Sequence, residues 1–533
     1  MNANTQYKPY WPETVIFWGA GATQGLGMLM TKQIGNVFHT LSGLSNSKTN
    51  QVDIATIQEA LPDATNKIID ELKDFLTIID LRQSDTKREQ ARNNLGFNVK
   101  RAERLARLYD WNAVIQVIER CPGINAGSLA LQDLYNLLDM HIKSQNGIEV
   151  DGEFITLDRL ISARRTVDML TQLFHTISYQ KMIKDDTSKH IYRQYYGFAK
   201  LLADRMKREG LERARKGNLD SRDFYLFSYA VISMNWDPIL LWLIFNAHRE
   251  ANDSAFRPNI GMPPQPMKLF NDLAHFMAVR KVNGGTPGAW FPMNETAVQR
   301  LNDPDHHTDR RVRIGKFYFP HGCHGFRQCP KCGKLTFYLG NDWTFDSDSL
   351  FPPQIIPSLS PKKARSTEEE KAIKGGVYDA VQCTHCGQIT EAHHTPLVMQ
   401  TNFKGGNPSF IEEIQSDMKV ALEKAKHIIF AGYSLPTDDF IYRSILAARH
   451  NMKGAVKCSV IGYSEGAKDK WLYAKDMQLK KKQDNSAFIQ TCQRVADIFG
   501  VENVRGYAQG IPNVFLKNGQ ADKGKVEEML RNW

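Results

Sequence analysis

Two features that would place a chain in or across a membrane are missing from this sequence. Its 533 residues contain no uncharged apolar stretch of about 18 residues, the length that a membrane-spanning helix needs. The most apolar run, residues 238–245 (PILLWLIF), is far too short and predicts a buried element. The N-terminal MNANTQYKPYWPE lacks the basic-then-apolar pattern of a secretion signal. We therefore expect a cytoplasmic protein.

Cysteine is scarce, and half of the eight cysteines stand in two CxxC pairs, Cys329 with Cys332 and Cys383 with Cys386. Without a secretion signal this pattern indicates a metal site and not disulfides. Four thiolates suit tetrahedral structural zinc, although the alternative is an unrelated set of thiols. Residues 351–376, rich in Pro, Ser and Lys, are predicted to form a loop or mobile insertion between the pairs.

Composition leaves the class of partner open. Hydrophobic residues make up 42% and charged residues 24%, as in ordinary globular proteins. The net charge of +10 is diffuse, which permits contact with nucleic acid without establishing it. Basic residues without an aromatic-interleaved motif argue against a dedicated nucleic-acid binder.

Strand and helix patterns alternate as in an α/β protein. Residues 15–18 (VIFW) are continuously apolar, which is typical of a strand buried on both faces of a parallel sheet. Strand signals return at residues 227–234, 317–319, 428–430 and 458–461. Residues 53–216 have amphipathic helical periodicity and no catalytic constellation, which predicts a scaffold or an interaction surface.

The first strand runs into a glycine turn, GAGATQGLG, at residues 19–27. Such glycines let the backbone approach a pyrophosphate, although many glycine turns only reverse the chain. The spacing is not GxGxxG, because Gly25 comes one residue late, and no acid follows before Asp53. A dehydrogenase would place an acid about 20 residues on. The turn is therefore compatible with a dinucleotide site but disfavours hydride transfer.

Polar residues follow three further strands. Asn235 and Asp237 could hold a ribose hydroxyl, a water or an amide at a strand end, or they could begin a helix as an N-cap or Asx turn. His321 precedes a glycine, where a neutral imidazole can act as a general base, although a lone histidine is often structural. Gly432 and Ser434 are small enough to admit a ribose or phosphate, but they could also belong to any strand-to-helix loop.

Taken together, and in their order along the chain, these motifs resemble those of the sirtuin family. That family has a GAG turn, an N-x-D segment, an HG motif eight residues before the first zinc cysteine, two CxxC pairs, a proline with a strand, and a G(T/Y)SL turn. The corresponding residues here are Gly19–Ala20–Gly21–Ala22, 233–237 (SMNWD), His321–Gly322, the four cysteines, 395–398 (TPLV) and 432–435 (GYSL). The resemblance covers residues 15–27 and about 225–465.

The resemblance implies a catalytic His321, with Asn235 and Asp237 in the nicotinamide–ribose pocket. The dinucleotide would be lined by Gly19, Ala20, Gly21, Ala22, Gly432 and Ser434. We thus predict an α/β fold with a Rossmann-like parallel sheet, a small four-cysteine zinc module and a large helical insertion. The predicted Rossmann-like domain comprises 1–52, 217–314 and 401–517, with the helical insertion at 53–216, the zinc-binding module at 315–400 and a charged tail at 518–533.

Departures from the deacylating sirtuins favour a hydrolase. Those enzymes follow the GAG turn with a Pro–Asp–Phe–Arg segment, where this chain has TQGLGMLMT. Met234 replaces the glutamine before the family asparagine, and VMQTNFKGGN lacks their FGE-type signature. These features look more like the bacterial sirtuin-like NAD hydrolases of anti-phage systems.

The resemblance therefore implies an NAD⁺ glycohydrolase that cleaves NAD to nicotinamide and ADP-ribose and depletes NAD in anti-phage defence. NAD would be the substrate and Zn²⁺ a structural metal. One alternative is an NAD-dependent protein-lysine deacylase. Another is a non-catalytic NAD-sensing or nucleic-acid-binding component of a defence complex, against which the presence of Asn235, Asp237 and His321 argues.

An enzyme that depletes NAD must be restrained, so we expect residues 53–216 to form a homo-oligomer or to bind a partner protein. Mass photometry of the purified chain should show an oligomer, or a partner should co-purify. A strict monomer with full constitutive activity would contradict this expectation.

Overall fold

The computed structural model describes residues 12–43, 53–80, 99–215, 229–251, 269–270, 278–279, 289–291, 312–313, 316–333, 335–338, 356–361, 363–364, 366–382, 386, 388–392, 395–399, 409–477 and 486–533. The strands are β1 Thr14–Trp18, β2 Ile148–Val150, β3 Glu153–Ile155, β4 Tyr229–Ser233, β5 Leu269–Phe270, β6 Ala278–Val279, β7 Ala289–Phe291, β8 Val312–Arg313, β9 Lys316–Tyr318, β10 Phe326–Gln328, β11 Leu335–Tyr338, β12 Val381–Gln382, β13 Ile389–Thr390, β14 His427–Ala431, β15 Lys457–Ile461, β16 Trp471–Tyr473, β17 Val504–Tyr507, β18 Leu516–Lys517 and β19 Gln520–Ala521. The α-helices are α1 Ala20–Thr23, α2 Thr31–Leu41, α3 Ile54–Ala60, α4 Asn66–Ile79, α5 Val99–Leu108, α6 Trp111–Glu119, α7 Leu131–Lys143, α8 Leu157–Lys184, α9 Asp186–Arg215, α10 Ile239–Ala251, α11 Thr367–Lys374, α12 Ser409–Lys424, α13 Phe440–Lys453, α14 Ala487–Phe499 and α15 Lys523–Leu530.

A mostly parallel sheet organises these elements. Its seven strands, within the described ranges, lie in the order β16–β17–β15–β14–β1–β4–β9. The pairs from β17 to β9 are parallel, and β16 pairs antiparallel with β17. Strands β1, β4 and β14 are buried along their whole length, as expected for a sheet covered on both faces. The predicted α/β class with a parallel sheet is confirmed.

The order of the strands creates a switch point beside β1. The chain passes from β1 to β4 and β9 on one side, and then returns to β14, β15 and β17 on the other. In open α/β sheets a crevice forms where the strand order reverses, outside the carboxyl ends of the strands. The loops after β1 and β14 therefore flank the expected position of a ligand.

Helices α2 to α8, which stand between β1 and β4 in the sequence, form a helical block with a hydrophobic core of its own, whereas α9 packs in the core of the sheet. Phe38, Trp111 and Phe174 belong to this core. Helix α8 reaches both cores, because its Phe174 packs in the helical block while Tyr179 packs in the core of the sheet. The boundaries of the predicted domains, including the helical insertion, remain predictions. Among the helices described, none has the length and apolar character to cross a membrane.

Two segments differ from the sequence-based expectation. The predicted loop at 351–376 contains, in its described part, helix α11, which Ser366 caps by accepting a hydrogen bond from Glu369 N at 3.1 Å. Residues 518–533 are not a tail, because they form β19 and α15. Met529 and Leu530 of α15 are buried in the core of the sheet. In both segments the charged residues lie on exposed faces of helices. A high content of charged residues therefore does not by itself distinguish a loop or tail from a helix.

A buried arginine joins the helical block to the segments on both sides of α11. Arg101 of α5 is 1% exposed, and its guanidinium donates to Glu391 at 2.6 Å, Asp379 at 3.0 Å, and the carbonyl oxygens of Ser358 and Gly376. Burial would raise the pKa of Glu391, but the charge of Arg101 and hydrogen bonds to the carboxylate outweigh it and lower that pKa. The interface therefore depends on a satisfied buried charge pair.

Replacing Arg101 with Met should destabilise the protein strongly, because two carboxylates would remain at the interface without their main partner. We expect the free energy of unfolding to fall by about 3–5 kcal/mol, measured by chemical denaturation. The control is Arg104→Met, which removes a second donor to Glu391. Because the Arg104 side chain is 37% exposed, this change should lower the free energy of unfolding by only about 0–1 kcal/mol. Equal losses in both variants would contradict this account.

Candidate functional site

A cavity of about 800 Å³ lies at the carboxyl edge of the sheet, at the switch point. Volumes of roughly 300–1,000 Å³ are typical of sites for small molecules and cofactors. Residues that follow β1, β4, β9 and β14 line it: Ala20, Gly21, Thr23, Asn235, Asp237, His321, Gly432, Tyr433 and Ser434. The structure thus brings together most of the predicted site residues, whereas Gly19 and Ala22 are not part of the lining.

The two glycine turns touch each other through their backbones. Gly19 N donates to Ala431 O at 2.9 Å, and Gly21 N donates to Gly432 O at 3.0 Å. A Cβ added to Gly19 would lie 2.5 Å from Gly432 O, and one added to Gly432, whose φ is +60°, would lie 2.1 Å from Ala22 N. The sequence suggests that these glycines make room for a pyrophosphate. In the structure, the contact between the turns already requires glycine at both positions.

Asn235 is buried beside the first glycine turn. Its Nδ2 donates to Gly19 O at 3.2 Å and to Thr23 Oγ1 at 3.1 Å. Its Oδ1 is buried and has no hydrogen-bond partner among the residues described. A buried acceptor without a partner costs about 1–3 kcal/mol. A ribose hydroxyl or a water that donates to Oδ1 would offset this cost.

Asp237 both begins a helix and faces the cavity. Its Oδ1 accepts from Ile239 N at 3.1 Å, which is the Asx-type role that the sequence left open. Burial raises the pKa of Asp237 to about 6, against hydrogen bonds from Ile239, Asn235 and Thr23 that lower it. The group is therefore mainly a carboxylate at pH 7 and loses its charge at mildly acidic pH.

His321 follows β9 and is 2% exposed. Its Nδ1 lies 3.4 Å from Met234 O, and its Nε2 lies 3.7 Å from Asp439 Oδ1. The rings of His321 and Tyr442 have centroids 5.3 Å apart. The imidazole is therefore held in the wall of the cavity between two oxygen acceptors and an aromatic ring.

The glycine of the HG motif is required by its surroundings. Gly322 has a φ of +77°, and a Cβ there would lie 2.0 Å from Pro396 O. Val398 N donates to His321 O at 2.9 Å. The predicted proline segment at 395–398 thus contacts the HG motif, although it adopts no regular secondary structure.

The helical block reaches the cavity through His175 of α8. His175 Nδ1 lies 2.6 Å from His324 Nε2, and His175 Nε2 lies 3.2 Å from Leu29 O. Because a carbonyl only accepts, His175 carries its proton on Nε2 and accepts a hydrogen bond from His324. Burial lowers the pKa of His175 to about 4 and that of His324 well below its usual value. Both imidazoles are therefore neutral near pH 7.

Several residues of the site were not predicted from the sequence. Thr23 stands inside the glycine turn but was not singled out there, and His175 had no local signal, because it stands in a helical segment without a motif. Asp439 was visible only as the second of two adjacent acids after the GYSL turn. The structure separates them: Asp439 is fully buried and accepts from Tyr433 Oη at 2.6 Å, whereas Asp438 is partly exposed.

Three of the four predicted zinc ligands converge away from this cavity's lining. The sulfur atoms of Cys329, Cys332 and Cys386 all lie within 4.8 Å of one another, and those of Cys329 and Cys386 are 3.8 Å apart. Thiolates about 2.3 Å from a tetrahedral zinc ion are separated by about 3.8 Å. The cluster could bind a metal and is compatible with zinc. Cys383 lies outside the described residues.

No protein-family model matches this chain, and a search of curated proteins finds no match. The sirtuin resemblance therefore rests on the ordered motifs alone.

If the cysteines hold zinc, replacing Cys386 with Ala should remove the metal, because a closed structural site needs all of its thiolates. Metal analysis should fall from about one zinc per chain to a small fraction of that. The melting temperature should also fall, because metal binding is coupled to folding.

Cys121→Ala is the control, since this thiol is buried in the helical block and burial raises its pKa to about 12. That variant should retain its zinc. A folded, freshly prepared wild-type protein without zinc would overturn the assignment.

Proposed function

We propose that this chain is a sirtuin-like NAD⁺ glycohydrolase, with a Rossmann-like domain that binds NAD and a zinc module that supports it. The observation that carries the proposal is the convergence of Asn235, Asp237 and His321 with both glycine turns on one cavity at the switch point of the sheet. Dinucleotides bind at such points in doubly wound α/β proteins. The residues that line the cavity offer hydrogen bonds and a base where a ribose would lie.

The proposed reaction breaks the bond between C1′ of the ribose and the nicotinamide nitrogen. Nicotinamide leaves with the bonding electron pair, and the ribosyl carbon becomes positively charged. The oxygen of one water molecule forms a bond to C1′ and releases a proton. NAD⁺ and water thus give nicotinamide, ADP-ribose and one proton, and no oxidant or reductant is needed.

Each polar residue can be given a role in that reaction. Asn235 Oδ1, the buried acceptor that has no partner among the described residues, would position the attacking water or a ribose hydroxyl. His321 would accept the proton that is released, as a general base. Asp237, mainly ionised at pH 7 with a pKa of about 6, would accept the N–H of the nicotinamide amide.

The composition of the cavity wall favours water over an acyl peptide as the acceptor. Gln132 and His175 of the helical block contribute to the lining, together with Trp236 of the N-x-D segment. The Trp236 ring packs on Tyr135 of α7, with ring centroids 5.8 Å apart. A protein substrate would have to share this wall with helices of the chain itself, whereas water needs little room.

The test is incubation of the purified chain with NAD alone, with nicotinamide and ADP-ribose measured by chromatography. In ¹⁸O-labelled water, ADP-ribose should gain one labelled oxygen from hydrolysis. His321→Ala should lower the rate by about 10²-fold or more, as expected for a lost general base. Asn235→Ala should have an effect of similar size, through lost positioning.

The matched controls are His190→Ala and Asn66→Ala, which alter exposed residues of α9 and α4 and should keep the wild-type rate and zinc content. Nicotinamide release that requires an acetyl-lysine peptide would instead identify a deacylase. Wild-type rates in both His321→Ala and Asn235→Ala would show that the site is assigned wrongly.

A further inference from the structure

Asp439 occupies a helix N-cap but does not act as one. Aspartate at this position usually accepts a hydrogen bond from a backbone N–H of the first turn. Asp439 precedes α13 and makes no such side-chain bond. By contrast, Asp53, Asp110 and Asp522 cap their helices in the usual way. The carboxylate of Asp439 is therefore directed to other partners.

Tyr433 and His321 both lie beside this carboxylate. Tyr433 Oη donates to Asp439 Oδ2 at 2.6 Å, and Asp439 Oδ1 lies 3.7 Å from His321 Nε2. Asp439 is fully buried and His321 is 2% exposed. A carboxylate with so little access to water interacts strongly with a charge that forms next to it.

Each ring nitrogen of His321 faces an oxygen acceptor. Met234 O faces Nδ1 and the Asp439 carboxylate faces Nε2, and both groups only accept hydrogen bonds. A neutral imidazole has one N–H to offer them, whereas an imidazolium has two. Other titratable groups near the ring or in the same cavity lining are Tyr442 of α13, Tyr433 behind Asp439, Asp237, Asp438 and His175.

We propose that Asp439, held by Tyr433, is a positioning residue that orients His321 and stabilises its protonated form after it accepts the proton from water. This inference rests on the proposed hydrolase function, in which His321 is the general base. The Tyr433 hydrogen bond fixes one carboxylate oxygen, so that the other stays towards the imidazole. The GYSLPTDD turn would then serve catalysis as well as dinucleotide binding.

The decisive variant is Asp439→Asn, which keeps the size of the side chain and its ability to begin a helix. We expect kcat for NAD hydrolysis to fall by about 10- to 100-fold, within the contribution of general-base catalysis, with KM changed by less than about threefold. The acid limb of the pH–rate profile should move to lower pH, because the imidazolium loses its negative neighbour.

A double-variant cycle separates this role from a structural one. If Asp439 acts through His321, adding Asp439→Asn to His321→Ala should cause no further loss of rate. Tyr433→Phe should shift kcat in the same direction by a smaller factor, and it tests the proposal if Asp439→Asn does not fold. Asp469→Asn is the control, because Asp469 also accepts a hydrogen bond from a tyrosine, Tyr507, at 2.5 Å, and it should leave the profile unchanged.

A readout without catalysis distinguishes the failure of this proposal from the failure of the hydrolase assignment. In ¹³C-histidine-labelled protein, the His321 signal, assigned by its loss in His321→Ala, should titrate at lower pH in Asp439→Asn than in wild type. If this shift is seen but the wild type cleaves no NAD, the proposed function is contradicted, whereas the pairing of Asp439 with His321 is supported. An unshifted His321 signal, or fully additive losses of rate in the double variant, would overturn the role of Asp439.

Discussion

The rest of the site depends on the contact between two glycine turns. Gly19 and Gly432 approach so closely that a methyl group on either would overlap the backbone of the other turn. This contact joins the ends of β1 and β14 at the switch point, and Asn235 is tied to it through Gly19 O. A cavity with defined walls can form there because the two strand ends cannot separate without losing these hydrogen bonds.

Much of the fold followed from the sequence because its signals are local. Continuous apolar runs such as residues 15–18 identify strands buried on both faces, and the CxxC spacing identifies a cysteine cluster before any contact is known. Strand order and the two-core packing of α8 were not accessible, since they depend on contacts between distant residues. The packed C-terminal helix was mistaken for a tail because its buried residues, such as Met529, are few among many charges.

The residues of the candidate site that stand in a sequence motif were predicted. Those that reach the site only through the packing of distant segments were missed. Asn235, Asp237 and His321 follow strands, so a common sheet edge was enough to place them together. Asp439 differs from Asp438 only in the direction of its side chain, which is determined by Tyr433 and His321. His175 reaches the cavity from α8, and Arg327 adds a second link by bonding Gln172 of α8, His324 O and Thr395. No single-sequence pattern encodes such cross-links.

The neutral histidine pair has a consequence for the electric field in the cavity. With low pKa values, His175 and His324 contribute no positive charge near pH 7, and burial likewise raises the pKa of the Cys323 thiol, so that it stays uncharged. The carboxylate of Asp237 in the lining and that of Asp439 beside His321 are little screened by water, so they favour any centre that becomes cationic as a bond breaks. The wall beside His321 is therefore electrostatically matched to a short-lived positive charge.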